Sequence, residues 1–551
     1  MENNSNTLAS PEDILVLIKS KISKETSLAF LSAVIIGLIV HLYFFMNNLP
    51  HADSLIARTY HPGHAWDIAT GRWAWQFLDN LDTYFTLPWV TGMICLFSIG
   101  LVSALLVRLF NLQQKFDILL LSAVVVTFPA VTIAFCQIQV VNCFMISYFL
   151  SVFAVYCLVQ FKKTGILLSS VSIALSLANY QAYIGVTILL YNILLIQELL
   201  RGTELKKLLC KGLRYLLSGV IGVTLYFISF KVSLELSHLT LPDWRGINTI
   251  GQIKLSEIPS LILQTYQYFF NYVFTDQIHY NPWCLVVLYA VICTTILGFI
   301  LFEIITKKIY RHKADFIVLF MLLLLLPFSV AIWRFLAPRT PMSISMIPQY
   351  SLFLFLPIVL SEIKPSDEVK SANDNNNRKR ALKSANGGKT KGLNQRMVLK
   401  WASVVACCLI SYHYYLLDNI AYQNLNLQYQ KTYAVAVRIV DRIEQQPNYS
   451  NQTKLAVLGG LPSANYPITN EPQAKELKGL DLPAMNNFVY MDSSYSWYSL
   501  FYDYLGVSFI GSADQNEQNQ IKATNEFKGM GCFPAANSVK IINGFTVVKL
   551  S

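Results

Sequence analysis

Charge is scarce in this chain: 14% of its 551 residues are Asp, Glu, Lys or Arg, where a soluble domain carries about 25%. The shortage is uneven, because the charges cluster in short stretches between long apolar runs. That pattern excludes an ordinary soluble protein, since a run of about 20 apolar residues crosses the hydrocarbon core as a helix with every backbone group bonded internally. Cysteine is equally uninformative for chemistry. Nine of the ten Cys lie in or beside apolar segments, and with only Cys532 in the C-terminal region no internal disulfide forms there. No CxxC pair or Cys/His metal spacing exists, so neither a metal nor a cofactor is expected. The adjacent Cys407-Cys408 read as small buried apolar side chains. No cleavable signal peptide is evident, because the first apolar run, near 26–49, is too long for one and lacks a small-residue cleavage site. The formal net charge of +11 does not point to nucleic acid, because the Lys and Arg residues sit between apolar runs, where they set topology.

What is present reads as eleven spans: about 26–49, 86–108, 116–136, 140–160, 164–178, 182–198, 213–236, 283–306, 315–333, 345–361 and 398–417. Residues 164–198 greatly exceed one crossing, yet Lys162-Lys163 precede them and Arg201, Lys206 and Lys207 follow. Both ends then face the cytoplasm, and two short spans meeting at Asn179-Tyr180-Gln181 satisfy both facts. The same reasoning splits 116–160 at Gln137 and Gln139. Loops assigned to the cytoplasm, with their flanks, hold 26 of the 43 Lys and Arg residues, while external loops before the C-terminal region hold six. Residues 1–25 are then a cytoplasmic N-terminus. The stretch 362–397, with SANDNNNRKR and KSANGGKTKG, is polar and lacks aromatics, and reads as a disordered basic cytoplasmic linker that touches anionic lipid. After residue 417 the composition becomes that of a soluble domain, external by this topology. Residues 428–445 read as a helix and Lys454–Gly459 as a strand. Val539–Ile542 and Phe545–Leu550 flank Asn543-Gly544, the pair a type I′ hairpin turn needs. The expected fold is thus mainly α, polytopic, with about eleven transmembrane helices over 26–361 and 398–417 and a small α/β domain over 418–551. That domain shows no phosphate-binding glycine loop and no hydrolase motif.

The first external loop, 50–85, is too long and too aromatic to be a simple connector. It carries Asp53, Asp67, Asp79 and Asp82, Arg58 and Arg72, three His and three Trp. Asp67 to Leu81 has helical spacing, with Trp73, Phe77 and Leu81 on one face, which suits a helix lying in the interfacial plane. Two readings of Asp53 stand side by side. It caps a helix beginning Leu55-Ile56-Ala57, or it accepts a proton from a hydroxyl that attacks a lipid-linked donor at the water boundary. Arg58 and Arg72 have the geometry to hold a lipid phosphate bidentately. The three His match no zinc spacing and read as interfacial. A second cluster, Arg334 to Pro341, places Arg334 and Arg339 five residues apart, as a phosphate clamp or as snorkelling side chains. A third is the external break at Tyr180-Gln181, which also reads as a plain turn. Lys231 lies one turn and a half before an external helix end, where it snorkels or meets a phosphate.

The aromatic first loop with Asp53, Arg58, Trp66 and Gly71-Arg72, the Leu-x-x-Tyr-Gln break at Leu177–Gln181, and the later Arg-rich loop resemble the bacterial serotype-converting O-antigen glucosyltransferases (Gtr) over roughly residues 26–360. That family resembles the GT-C class, whose members take sugar from a polyprenyl phosphate and place a catalytic acid in the first external loop. The resemblance implies an inverting glycosyltransferase of the bacterial inner membrane. Glucose would pass from undecaprenyl phosphate glucose to the O-antigen of lipopolysaccharide in the periplasm. A flippase and a lipid-phosphate glucosyltransferase would supply the donor. Related proteins often carry paired acids after the first span; here Ala52 precedes Asp53, which leaves Asp67 as the second candidate acid. Arg58, Arg72, Lys231, Arg334, Arg339, Tyr180 and Gln181 are the candidate donor-binding set. In the C-terminal domain Tyr495, Trp497 and Tyr498 read either as a polysaccharide contact or as core.

Two other classes fit less well. A transporter or lipid flippase keeps ionisable groups near the bilayer midplane, whereas these spans lack acids except near their ends. An O-antigen polymerase or ligase usually carries its large loops between later spans. The topology is directly testable. A reporter active only in the periplasm should be active when fused after residue 420 or within 50–85 and silent within 365–395; the opposite result at the linker would mean an odd error in the span count.

Overall fold

The computed structural model describes residues 22–47, 63–78, 84–242, 253–278, 281–363, 388–447, 449–461 and 494–551, with a few single positions besides. In chain order its helices are α1 (Lys24–Asn47), α2 (Ala65–Ala69), α3 (Trp75–Leu78), α4 (Pro88–Phe110), α5 (Lys115–Val126), α6 (Pro129–Phe135), α7 (Val141–Gln160) and α8 (Gly165–Asn179). After a single turn at Gln181–Tyr183 come α9 (Ile184–Leu200), α10 (Leu205–Leu236), α11 (Ile258–Phe274), α12 (Trp283–Thr306), α13 (Lys313–Val330), α14 (Ile332–Leu336), α15 (Gln349–Ser361) and α16 (Gly388–Glu444). All eleven expected runs are helical. Among the described residues eight helices are long and apolar enough to cross a membrane, or nine if the α5–α6 pair, bent by 47°, is one crossing. The apolar α8 and α15 are shorter, at 15 and 13 residues.

Local chemistry explains the boundaries. Pro129 opens α6, where its missing N–H costs nothing, and extended Phe128 turns the chain away from α5. The helices keep apolar side chains outward as well as inward. Leu31, Ile35 and Ile39 on α1 and Leu213, Leu216 and Val220 on α10 are exposed, as expected where lipid replaces water. Glycines let α1 and α4 approach closely: a Cβ at Gly92 would stand 2.6 Å from the Phe45 ring and one at Gly100 2.8 Å from Phe30.

Four expectations need correction. The last span and the helix expected at 428–445 are one continuous helix of 57 residues, about 85 Å long against a hydrocarbon core of about 30 Å. Its first ten residues belong to the stretch read as a disordered linker, while the linker's earlier part, 364–387, lies outside the described residues. The region 254–278, read as loop, holds α11, whose Leu261, Thr265, Phe269, Tyr272 and Val273 form one buried stripe. The single helix expected over 67–81 is two short ones, separated at Thr70-Gly71.

One end of α16 is held by ions. Arg396 reaches Glu303 of α12 at 2.7 Å and the Ser361 carbonyl that ends α15 at 2.9 Å. Lys400 bonds Asp117 of α5 at 2.7 Å and Glu362 at 2.9 Å. The far end carries the sheet domain: β1 (Lys454–Leu458), α17 (Ser494–Leu505), β2 (Gly511–Ser512), α18 (Gln515–Ala523), α19 (Asn525–Lys528), β3 (Val539–Ile542) and β4 (Phe545–Lys549). The strand order is β2-β1-β4-β3, with β1 parallel to both neighbours and β3–β4 an antiparallel hairpin. Asn543 and Gly544 have φ of 50° and 79°, as a type I′ turn requires. Arg442 of α16 donates to the Ala535 carbonyl at 2.6 Å and lies over the Phe533 ring, fastening helix to domain.

Glu303 is almost fully buried, and breaking such a pair from one side costs about 3–5 kcal/mol. Arg396→Ala should therefore lower the thermal midpoint of the detergent-extracted protein sharply. Lys307 stands 2.9 Å from the same carboxylate, so Lys307→Ala added to Arg396→Ala, which leaves Glu303 with neither cation, should lower the midpoint further.

Candidate functional site

Three of the expected site residues, Arg72, Tyr180 and Gln181, meet at the break between α8 and α9. Tyr180 adopts an extended conformation, φ −154° and ψ 105°, and ends the α8 ladder. A helix that stops leaves its last carbonyls without partners, and inside an apolar bundle no water supplies them. The first loop supplies two. The Ala74 N–H donates to the Ala178 carbonyl at 3.2 Å, and the Trp75 indole donates to the Asn179 carbonyl at 2.7 Å. Gln181 reaches back, donating to the Thr70 carbonyl at 2.9 Å and to the Tyr226 hydroxyl at 3.1 Å. Tyr226, on α10, in turn donates to the Gly71 carbonyl at 3.1 Å.

Gly71 is required by this contact twice over. Its φ of +85° favours glycine, and a Cβ there would stand 2.4 Å from the Tyr226 hydroxyl oxygen. The tight turn aims the next residue, Arg72, into the break. Its guanidinium carbon lies 5.0 Å from the Trp75 ring centroid and 5.5 Å from that of Tyr180. Tyr180 is itself stacked on Phe144, with centroids 4.1 Å apart. No acceptor takes the buried Arg72 Nε, and among the described residues no carboxylate pairs with this cation. A guanidinium held on aromatic faces keeps its planar donor edge for an anion.

The other expected residues are placed as follows. Asp53 and Arg58 lie outside the described residues. Ser54, beside Asp53, is buried and donates to Gln139 Oε1 at 2.7 Å, which ties that part of the loop to the turn between α6 and α7. Asp67 lies on α2, part-buried, 3.4 Å from His64 Nδ1. Arg334 is part-buried and held by two bonds, Nη1 to the Pro338 carbonyl at 2.9 Å and Nη2 to Gln264 Oε1 at 3.0 Å. Those bonds use two of the five guanidinium N–H donors and fix the plane of the group. Arg339 is half-exposed and stands 3.9 Å from Glu257. Lys231 does not join the others: its side chain is 79% exposed and faces Glu235 one turn on. Of the three loop tryptophans only Trp75 is an anchor, while Trp66 is exposed.

Sequence reasoning missed Trp75, Tyr226, Gln139 and Gln264 as supports. Gln264 had a readable signal, since the apolar stripe from Leu261 to Val273 recurs with helical period and puts Gln264 on its flank. The others are contacts between segments far apart in the chain and carry no local signal.

A family model described as Glucosyl transferase GtrII matches residues 42–356. The matched region runs from the end of α1 into α15 and so contains every element of the site; α16 and the sheet domain lie beyond it. No curated protein and no solved structure matches the chain.

The docking of the loop on the break can be tested apart from chemistry. Trp75→Phe keeps the ring and removes the donor to Asn179, an unsatisfied carbonyl worth about 1–3 kcal/mol. Limited proteolysis of membranes should then cut within 63–85 several-fold faster than in the wild type, whereas Trp89→Phe, at an exposed ring on α4, should leave the rate unchanged.

Proposed function

Because the chain belongs to the GtrII glucosyl transferase family, we propose that it transfers glucose from undecaprenyl phosphate glucose to the O-antigen of lipopolysaccharide on the periplasmic face of the bacterial inner membrane. The observation that carries the reading is Arg72, a cation held on two aromatic faces beside a helix break, with no acidic partner among the described residues. A lipid phosphate is the anion that chemistry suits. The lipid chain lies along the apolar helices while its phosphate meets the Arg72 donors at the break. Arg334, pre-set by Pro338 and Gln264, is the second phosphate ligand, and Arg58 the third candidate. Arg339 and Lys231 fit this role less well, the first facing Glu257 and the second turned outward.

Asp53 acts as the base. It takes the proton of the acceptor hydroxyl as that oxygen attacks the anomeric carbon from the side opposite the phosphate, and the configuration inverts. The bond from the anomeric carbon to the phosphate oxygen breaks, and its electron pair leaves with the lipid phosphate. The guanidinium groups are aimed at the charge that develops there, which is where fixed donors lower a barrier most. Asp67, part-buried beside His64, is the alternative base. The bond from Ser54 to Gln139 supports Asp53 by holding its neighbour in place.

The deciding experiment is structural analysis of lipopolysaccharide from cells with and without this protein. Glucose side branches should appear only with it, and identical polysaccharides would refute the reading. Within that assay, Asp53→Asn should abolish transfer at normal membrane abundance. Arg72→Lys and Arg334→Lys should each lose at least tenfold, about 1.4 kcal/mol, because Lys keeps the charge but loses the planar fork. Arg339→Lys should stay near the wild-type rate. Full activity in both Arg72→Lys and Arg334→Lys would remove the phosphate clamp.

A further inference from the structure

The helix α17 carries aromatic residues on two faces with different fates. Trp497, Leu500 and Phe501 are buried in the domain core, Trp497 at 1% exposure. Tyr495, Tyr498 and Tyr502 recur at i, i+3 and i+7 and so share another face. Their rings form a ladder, with centroids 6.0 Å apart from Tyr495 to Tyr498 and 6.0 Å from Tyr498 to Tyr502. Tyr495 and Tyr502 are 41% and 45% exposed. Tyr498, between them, is half-buried and packs on the core, so the face presents two exposed rings joined by a third that anchors it.

The ladder sits far along the outer part of α16. Tyr504 of α17 packs edge-on against Tyr429 of α16, with centroids 5.9 Å apart. Tyr429 lies about 18 Å beyond Leu417, the expected outer end of the last span. That contact places the C-terminal end of α17 beyond the interfacial belt where Tyr otherwise gathers. The placement of α17 is firm: Ser494 Oγ donates to the Leu455 carbonyl at 3.0 Å and accepts from the Val457 N–H at 3.1 Å, so its first turn is sewn to β1.

We propose that Tyr495, Tyr498 and Tyr502 form a binding platform for the acceptor polysaccharide. The proposal rests on the glycosyl-transfer reading above and adds a site outside the family-matched region. The chemistry selects a carbohydrate over an apolar partner. Tyrosine offers a flat apolar face to the C–H side of a sugar ring and a hydroxyl to its rim, and no aliphatic side chain interrupts the stripe. The run from Tyr495 to Tyr502 covers about 10 Å of helix, room for more than one sugar of a repeating chain. An enzyme that modifies a polymer gains from such a hold, because a tethered chain presents its repeats to the active site at high local concentration.

The test uses the full chain in detergent and two readouts. The first is binding, without donor, of O-antigen polysaccharide released from host lipopolysaccharide by mild acid, followed by saturation-transfer NMR. The second is transfer rate against acceptor concentration. Tyr495→Ala with Tyr498→Ala and Tyr502→Ala should abolish the NMR transfer and raise the acceptor KM about tenfold, with kcat and the donor KM unchanged. The corresponding Phe variants, which keep the faces, should retain most binding. If the wild type transfers glucose and the Ala variant matches it in acceptor KM and binding, the platform is wrong and the enzymatic reading stands. If the wild type binds polysaccharide through these rings yet transfers no glucose, the platform stands and the enzymatic reading falls. Loss of binding to anionic lipid vesicles, with polysaccharide binding intact, would make the stripe a membrane contact and overturn the proposal.

Discussion

A helix broken inside an apolar bundle must find donors for the carbonyls it releases, and the site depends on how this chain meets that demand. The break at Tyr180 frees Ala178 and Asn179, and the first loop answers with the Ala74 N–H and the Trp75 indole. The exchange is reciprocal, because Gln181 and Tyr226 take the Thr70 and Gly71 carbonyls of the loop. Three bonds therefore couple the loop to the end of a buried helix, and a fourth, from Tyr226, ties it to α10. Arg72 is placed by that coupling: Gly71 makes the turn, and the rings of Trp75 and Tyr180 receive the cation. A functional cation on an unsupported loop would have to be ordered at the moment of binding; here the cost is met in folding.

The same principle recurs where α13 gives way to α14 at Ala331, and Gln349 of α15 donates to the Val330 carbonyl at 2.9 Å. Nearby carbonyls accept from side chains of other helices, Leu322 from Asn192 and Leu324 from Tyr266. Tyr266 and Gln264 both belong to α11, so the helix that satisfies α13 also holds Arg334. Arg72 and Arg334, the two arginines proposed to hold phosphate, thus sit beside helix ends whose carbonyls are taken by other segments. Interruption supplies the polar, non-helical backbone that a site at the membrane boundary needs, and repair supplies the rigidity.

Much of the fold was legible. The apolar runs, the charge bias of their flanks and the Asn543-Gly544 hairpin are local signals, and each is realised as a helix or a turn. The break at Tyr180 was legible from arithmetic alone: the apolar stretch was too long for one crossing and had Lys or Arg at both ends. The continuity of α16 was not, because its polar composition after Asp418 looks like a change of domain. Nothing local says that a helix leaving the membrane keeps going, and α16 does so through contacts with α1, α5 and the sheet domain, including Arg442 against Ala535. The linker reading failed in its last part for the same reason, since Arg396 is ordered by Glu303 and the end of α15, far away in sequence. The helix over 67–81 failed at Gly71, where backbone freedom outweighed the apolar spacing of Trp73 and Phe77.

The sequence by itself determined that this chain lives in a membrane, which residue types cluster at its outer loops, and which family those loops resemble. These are matters of composition and spacing, and hydrophobic burial reads them almost without regard to partners. Only the tertiary structure decided which residues come together. Arg72 was one of several loop cations until Trp75 and Tyr180 closed around it, and Lys231 was its equal until its side chain turned outward. Arg334 separated from Arg339 when Gln264 and Pro338 took hold of the first. Trp497 and its tyrosine neighbours read alike in sequence, yet Trp497 is core while Tyr495 and Tyr502 are exposed. Contacts of this kind join residues 70 to 111 positions apart, as Arg334 to Gln264 and Gln181 to Thr70 do. Their geometry is set by how helices pack, which no single segment encodes.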